Sequence, residues 1–83
     1  METIENRWFE LVKGEAYEYK LSRYASVFLF RERRKRWIAW YARWGKDSPE
    51  PIKCRDITKT PCEAKEAREQ AEAFIKRWME IKR

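Results

Sequence analysis

The 83-residue chain reads as an α+β domain: an antiparallel sheet of three to four strands packed by one C-terminal amphipathic helix. Three observations predict this. Residues 17 to 44 alternate with a period of two, the spacing of strands. Residues 61 to 81 repeat their apolar positions at 3- and 4-residue intervals, the spacing of one helix face. The short segments between these runs carry turn or cap chemistry, with Lys13-Gly14, Gly45-Lys46-Asp47-Ser48-Pro49 and Thr60-Pro61 marking the boundaries. One domain is expected over 1–83, divided into an N-terminal segment (1–14), a sheet (15–59) and a helix (60–83). At this length a core only just offsets chain entropy. Five Trp, four Tyr and four Phe supply the missing burial, at roughly 150–250 Å² each.

The N-terminal segment fits two patterns. Ile4, Trp8, Leu11 and Val12 fit a helix ended by Gly14, whereas Trp8 to Val12 also fits a strand turned back at Lys13-Gly14 onto Tyr17. The extended form is the expected one. Tyr17, Tyr19 and Leu21 then alternate with Glu18 and Lys20. Ala25, Val27 and Leu29 alternate with Tyr24, Ser26, Phe28 and Phe30. In the next strand Ile38, Trp40, Ala42 and Trp44 take one face and Trp37, Ala39, Tyr41 and Arg43 the other. Residues 52 to 57 form a short strand whose Lys53, Arg55 and Asp56 mark a sheet edge.

The helix is expected to begin with Thr60 as N-cap, Pro61 at the first helical position and Glu63 completing a capping box. Ala64, Ala67, Ala71, Phe74, Trp78 and Ile81 form its apolar stripe, widened by Ile75. Glu63, Glu66 and Glu69 suit the positive end of the helix dipole; Lys76, Arg77, Lys82 and Arg83 suit the negative end.

Charge carries the functional signal. Residues 20 to 59 hold 12 Lys and Arg against 4 acids, a local +8 within a chain of net +6. Five of these cations lie in the run Arg31-Glu32-Arg33-Arg34-Lys35-Arg36, at the tip expected to join two strands. Such a lopsided field suits a polyanionic partner, nucleic acid first. The bland alternative is a solvated turn kept soluble by its charge. A second constellation is the face carrying Trp37, Tyr41 and Arg43, where aromatics interleaved with Arg suit base stacking and phosphate pairing. It has its own alternative: Trp8, Phe9 and Leu11 covering that face as a second small core. The candidate binding residues are therefore Arg31, Arg33, Arg34, Lys35, Arg36, Trp37, Tyr41 and Arg43.

No catalytic residues, metal or cofactor are expected. The chain has no His for acid–base work near neutral pH and only two Gly, so neither a phosphate loop nor a nucleophile elbow can be read. Cys54 and Cys62 are too few for a disulfide framework. Cys62 falls in the expected first turn of the helix, where the dipole could lower a thiol pKa, although a small filling residue is the simpler reading. No apolar run is long enough to span a bilayer and the N-terminus shows no signal-peptide core, so a soluble, cytoplasmic protein with neither membrane nor small-molecule partner is expected.

From Arg36 to Phe74 the chain resembles the small three-stranded-sheet-plus-helix DNA-binding domains, including the arm-binding N-terminal domains of phage and transposon tyrosine recombinases and the plant ethylene-response type. The resemblance lies in Lys35-Arg36-Trp37-Ile38-Ala39-Trp40 as the aromatic strand and in Thr58-Lys59-Thr60 leading into Glu63-Ala64-Lys65-Glu66-Ala67. In that family the sheet enters the major groove, which implies a groove-facing set of Arg34, Arg36, Trp37, Ala39, Tyr41 and Arg43. The additional N-terminal strands and the absence of a following catalytic domain depart from the pattern. The Thr-x-x-Glu-Ala-Lys helix after a strand-rich body is also similar to short phage or prophage accessory proteins, many of which bind a host protein. Two functions follow as expectations. The first is a small basic, non-enzymatic nucleic-acid-binding module using the cationic hairpin and adjacent sheet face. The second is an inhibitor that sets the same cations against a host defence or nucleic-acid-processing complex with an acidic or DNA-binding surface.

Overall fold

The computed structural model describes residues 8–81. Ile4, Lys82 and Arg83, which entered the sequence reading, lie outside the described residues. Five strands run in chain order and pair in that order, all antiparallel: β1 (Trp8–Val12), β2 (Ala16–Ser22), β3 (Ala25–Arg33), β4 (Arg36–Trp44) and β5 (Pro51–Asp56). The helix α1 (Ala64–Ile81) follows. The N-terminal segment is thus a fifth strand, extended as expected. It turns into β2 through Gly14, whose φ of 69° is left-handed. A Cβ there would meet nothing within 4 Å, so only the backbone conformation favours glycine at this position.

Helix α1 crosses one face of the sheet. Ala67, Ala71 and Ile75 are fully buried against Val27, Leu29, Ala39, Tyr41 and Tyr19. The apolar stripe is therefore narrower than its spacing suggests. Ala64 is exposed and Ile81 is 73% exposed, while Phe74, Trp78 and Met79 pack along the flank. Trp8 ties β1 to the helix: its Nε1 donates to Glu72 Oε2 at 3.2 Å, and Arg68 Nε reaches the same oxygen at 3.0 Å. Edge-to-face contact with Tyr19, with ring centroids 5.4 Å apart, completes the corner.

The helix begins three residues later than the capping box predicts. Cys62 is engaged before it can become helical: its N–H donates to Trp37 O at 2.9 Å and its carbonyl accepts from Trp37 N at 2.6 Å, an isolated antiparallel bridge on the outer edge of β4. The first helical bond runs from Ala67 N to Glu63 O, so Glu63, not Thr60, occupies the cap position. Between β5 and that bridge, Thr58 covers the same edge. Its N–H and that of Ile57 both donate to Ala39 O, and its Oγ1 accepts from Ala39 N at 3.1 Å. A β4 edge that would otherwise lie unpaired is closed by side chain and loop.

Sheet register decides what each face carries. Val27 pairs with Tyr41 and Leu29 with Ala39; Phe28 pairs with Trp40 and Phe30 with Ile38. Ala39 and Tyr41 thus lie buried beneath the helix and cannot face a groove, while Trp37, on the same side, is only half-buried. Trp40 in turn is no part of the helix-covered core. It stands on the opposite face with Phe28, Phe30 and Trp44, three of them stacked at centroid separations of 4.8–5.7 Å. Phe9 does not cover the Trp37/Tyr41 face either: it pairs with Glu18 on the open side and is 63% exposed.

Candidate polyanion-binding hairpin

The cationic run is the β3–β4 hairpin. Strand pairing continues to Arg33↔Arg36, past a register shift after Arg31, so the turn itself is only Arg34-Lys35. Lys35 adopts φ 59°, a conformation that costs an ordinary L-residue roughly 1–2 kcal/mol. The sequence places a cation where Gly or Asn would be the relaxed choice. Residues 31 to 36 are all exposed. Among the described residues the one salt bridge is Arg68–Glu72, on the helix, so Arg31, Arg33, Arg34, Lys35 and Arg36 have no carboxylate partner there. Five cations on one two-stranded tip, against Glu32 in the run and Glu63 across the groove, leave a net positive potential.

The tip meets the helix start. A groove of about 560 Å³ runs between them, bounded by Arg31, Arg34, Lys35 and Trp37 on the hairpin and by Glu63 and Lys65 on the helix side. Gly14, in the β1–β2 turn, closes one end. Lys65 and Gly14 were not legible as site residues, because each is more than fifteen positions from the hairpin in sequence and reaches it only through the Cys62–Trp37 bridge and the β2–β3 pairing. Trp37 keeps a part in this site. It is half-buried, one face stacked on Tyr17 at 6.0 Å, and its remaining surface forms the groove wall.

The other expected contact residues separate from the tip. Tyr41 is buried, its ring 5.4 Å from that of Phe74, and has no surface for a base. Arg43 is exposed but lies seven residues along β4 from Arg36, roughly 23 Å at the rise of a strand. It pairs with Lys53 at the opposite end of the sheet.

Cys62 and Tyr17, beside the site, are both shifted toward their neutral forms. Burial, then the Glu66 carboxylate, pushes the Cys62 thiol up, against the opposing Arg36 guanidinium. The thiol is buried, as the simpler reading of a small filling residue has it. Burial and the hydrogen bond that Tyr17 donates to Glu10 Oε2 likewise raise the Tyr17 phenol. Cys54, on β5, is exposed. Among the described residues no helix is long and apolar enough to cross a membrane.

The fold and hairpin define a class only: an α+β protein with one helix on an antiparallel meander and a concentrated cationic tip. No protein-family model, curated protein or solved structure matches the chain.

Proposed function

We propose that this protein is a small, non-enzymatic nucleic-acid-binding module whose contact element is the β3–β4 hairpin together with the groove at its base. The observation that carries the reading is the set of five exposed cations, none paired with a carboxylate among the described residues, clustered on one two-stranded element. Arg guanidinium groups bind phosphate oxygens in a planar, bidentate manner, and four of the five are Arg. The groove between Arg31, Arg34, Lys35 and Lys65 can admit a phosphate, while the exposed part of Trp37 offers an aromatic surface beside it. Tyr41 has no part in this reading, and Arg43 is too distant to share one phosphate cluster with the tip.

A salt titration of binding by fluorescence anisotropy tests the proposal, using short duplex and single-stranded oligonucleotides. Affinity is expected to fall with salt, log K dropping by roughly 0.7–0.9 per phosphate contact for each unit of log salt. Replacing Arg33, Arg34, Lys35 and Arg36 by Gln should remove most of that slope and most of the affinity. No binding to any oligonucleotide at low salt would overturn the reading and leave the hairpin to an acidic protein surface.

A further inference from the structure

The sheet face opposite α1 has no layer over it. Phe9 and Ile52 are each 63% exposed and Val12 is 51% exposed, at the two sides of a central cluster of Phe28, Phe30, Trp40 and Trp44. The rings of Phe28, Phe30 and Trp40 stand nearly parallel, with interplanar angles of 13–25°. Trp44 meets Phe28 edge-on at 6.0 Å, and Ser26 and Ala42, in the row between, are 1% and 0% exposed. The surface is consequently continuous and filled, with no pocket sunk into it. Five strands about 4.8 Å apart and some six residues long give a face of roughly 24 × 20 Å. A largely apolar face of that extent, roughly 480 Å², is of the size of the largest patches that monomers leave in water, which are often functional.

Its charges argue against nucleic acid at this location. Over the aromatic rows, the ionisable positions that register places on the open face are Glu18 and Lys20 of β2 and Asp56 of β5, two acids against one base; Arg33 and Arg36 share this side only at the hairpin tip. A phosphate backbone laid here would meet net negative charge. Glu18 and Lys20 are instead successive same-face positions on one strand, with opposite signs. Glu18 is held in place by the hydrogen bond that Ser26 Oγ donates to its Oε2 at 2.7 Å.

We propose that this open face is the interface with a second copy of the same chain, two sheets packing face to face about a two-fold axis. An axis crossing the strands at the level between Glu18 and Lys20 sets Glu18 of each copy opposite Lys20 of its mate. The same operation brings the Phe28/Trp40 row of one copy over the smaller Ser26/Ala42 row of the other. The contact is isologous and closes at two copies. The areas fit a weak dimer: two faces of this size bury roughly 1,000 Å² in total, at the small end of biological interfaces. Both helices stay outermost and both cationic hairpins stay clear of the contact. The proposal does not depend on the nucleic-acid reading.

Sedimentation velocity and light scattering across a wide concentration range, at low and high salt, decide the matter. The expected result is a monomer–dimer equilibrium that tightens with salt, since two molecules of net +6 repel one another. That sense is opposite to the salt response of nucleic-acid binding, so the two readings can fail separately. Phe9→Glu with Ile52→Glu, both at exposed positions, should weaken the dimer by roughly 10-fold or more while circular dichroism and the melting curve of the monomer are kept. Glu18→Lys and Lys20→Glu should each weaken it, and the double swap should restore it. A monomer at all concentrations and salts, or a dimer indifferent to Phe9→Glu/Ile52→Glu, overturns the proposal. So does a swap variant no tighter than its two singles, or a monomer whose Trp fluorescence is quenched by oligothymidine but not in the Trp40→Phe/Trp44→Phe variant.

Discussion

At the residue scale, Cys62 shows how one backbone commitment sets local chemistry. Its sequence position beside a Pro and two residues after a Thr reads as helix, yet both its backbone groups are used by Trp37. The thiol is thereby buried beside Glu66 and carries a raised pKa. Alkylation near pH 8 should therefore modify Cys54 rapidly and Cys62 only on unfolding, as mass spectrometry of the peptides would report. The same shift has a pH consequence. A thiol whose pKa is higher folded than unfolded contributes stability that is complete below the unfolded value, about 8.5, and is lost as pH rises from there through the folded value. Tyr17 adds a second falling limb at higher pH, above its unfolded range near 10. Stability measured by urea denaturation should decline from about pH 8.5 upward, and Cys62→Ala should flatten the first part of that decline. A Cys62→Ala profile identical to wild type would contradict the assignment.

At the scale of elements, the turn from β5 into α1 is the decisive join. Thr58 stands in for strand pairing that β5 does not continue, and its side chain satisfies the Ala39 N–H in a buried setting. Thr58→Val keeps the shape and removes the acceptor. It should cost about 1–3 kcal/mol, the desolvation penalty of an orphaned buried donor. Thermal melts would check this, and a shift within error would place the stability of the join in the Cys62–Trp37 bridge alone. The strands from Ala16 onward were legible from alternation, whereas Trp8 to Val12 fitted a helix face as well as a strand and five residues could not separate the two periods. The helix body was legible from its own spacing, but its start was not. A capping box describes what a Thr can do in isolation. It carries no information that Cys62 lies within reach of a sheet edge twenty-five residues upstream. The hairpin turn was narrower than the charge run suggested: Arg31, Arg33 and Arg36 lie on strands, because exposed positions at the end of a ladder tolerate charge without ending the pairing.

At the scale of the whole molecule, a core of modest size is set against considerable self-repulsion. Five unpaired cations at one tip repel one another whether or not a partner is present, and screening relieves them. The variant with Arg33, Arg34, Lys35 and Arg36 replaced by Gln should be more stable than wild type at low salt. The difference should shrink as salt is added, which melting curves across an ionic-strength series would show. If that variant proves less stable at every salt, the cations contribute to folding and their concentration at the tip is not a binding device.

From the sequence by itself follow the α+β class, antiparallel strands in series, one amphipathic C-terminal helix and a basic hairpin between two aromatic strands. Each is a local property, set by spacing or by charge along a few residues. Which face of the sheet the helix covers was not local. β4 is apolar on both sides, so alternation separates Trp37, Ala39 and Tyr41 from Ile38, Trp40 and Ala42 without ranking them. The choice rests on fit between elements. The Ala67/Ala71/Ile75 stripe can approach closely over the smaller side chains Ala25, Val27, Leu29 and Ala39, whereas the upright rings of Phe28, Phe30 and Trp40 would hold a helix away. Tertiary packing therefore buried Tyr41, kept Trp37 at the edge of a basic groove, and left the other aromatic face open.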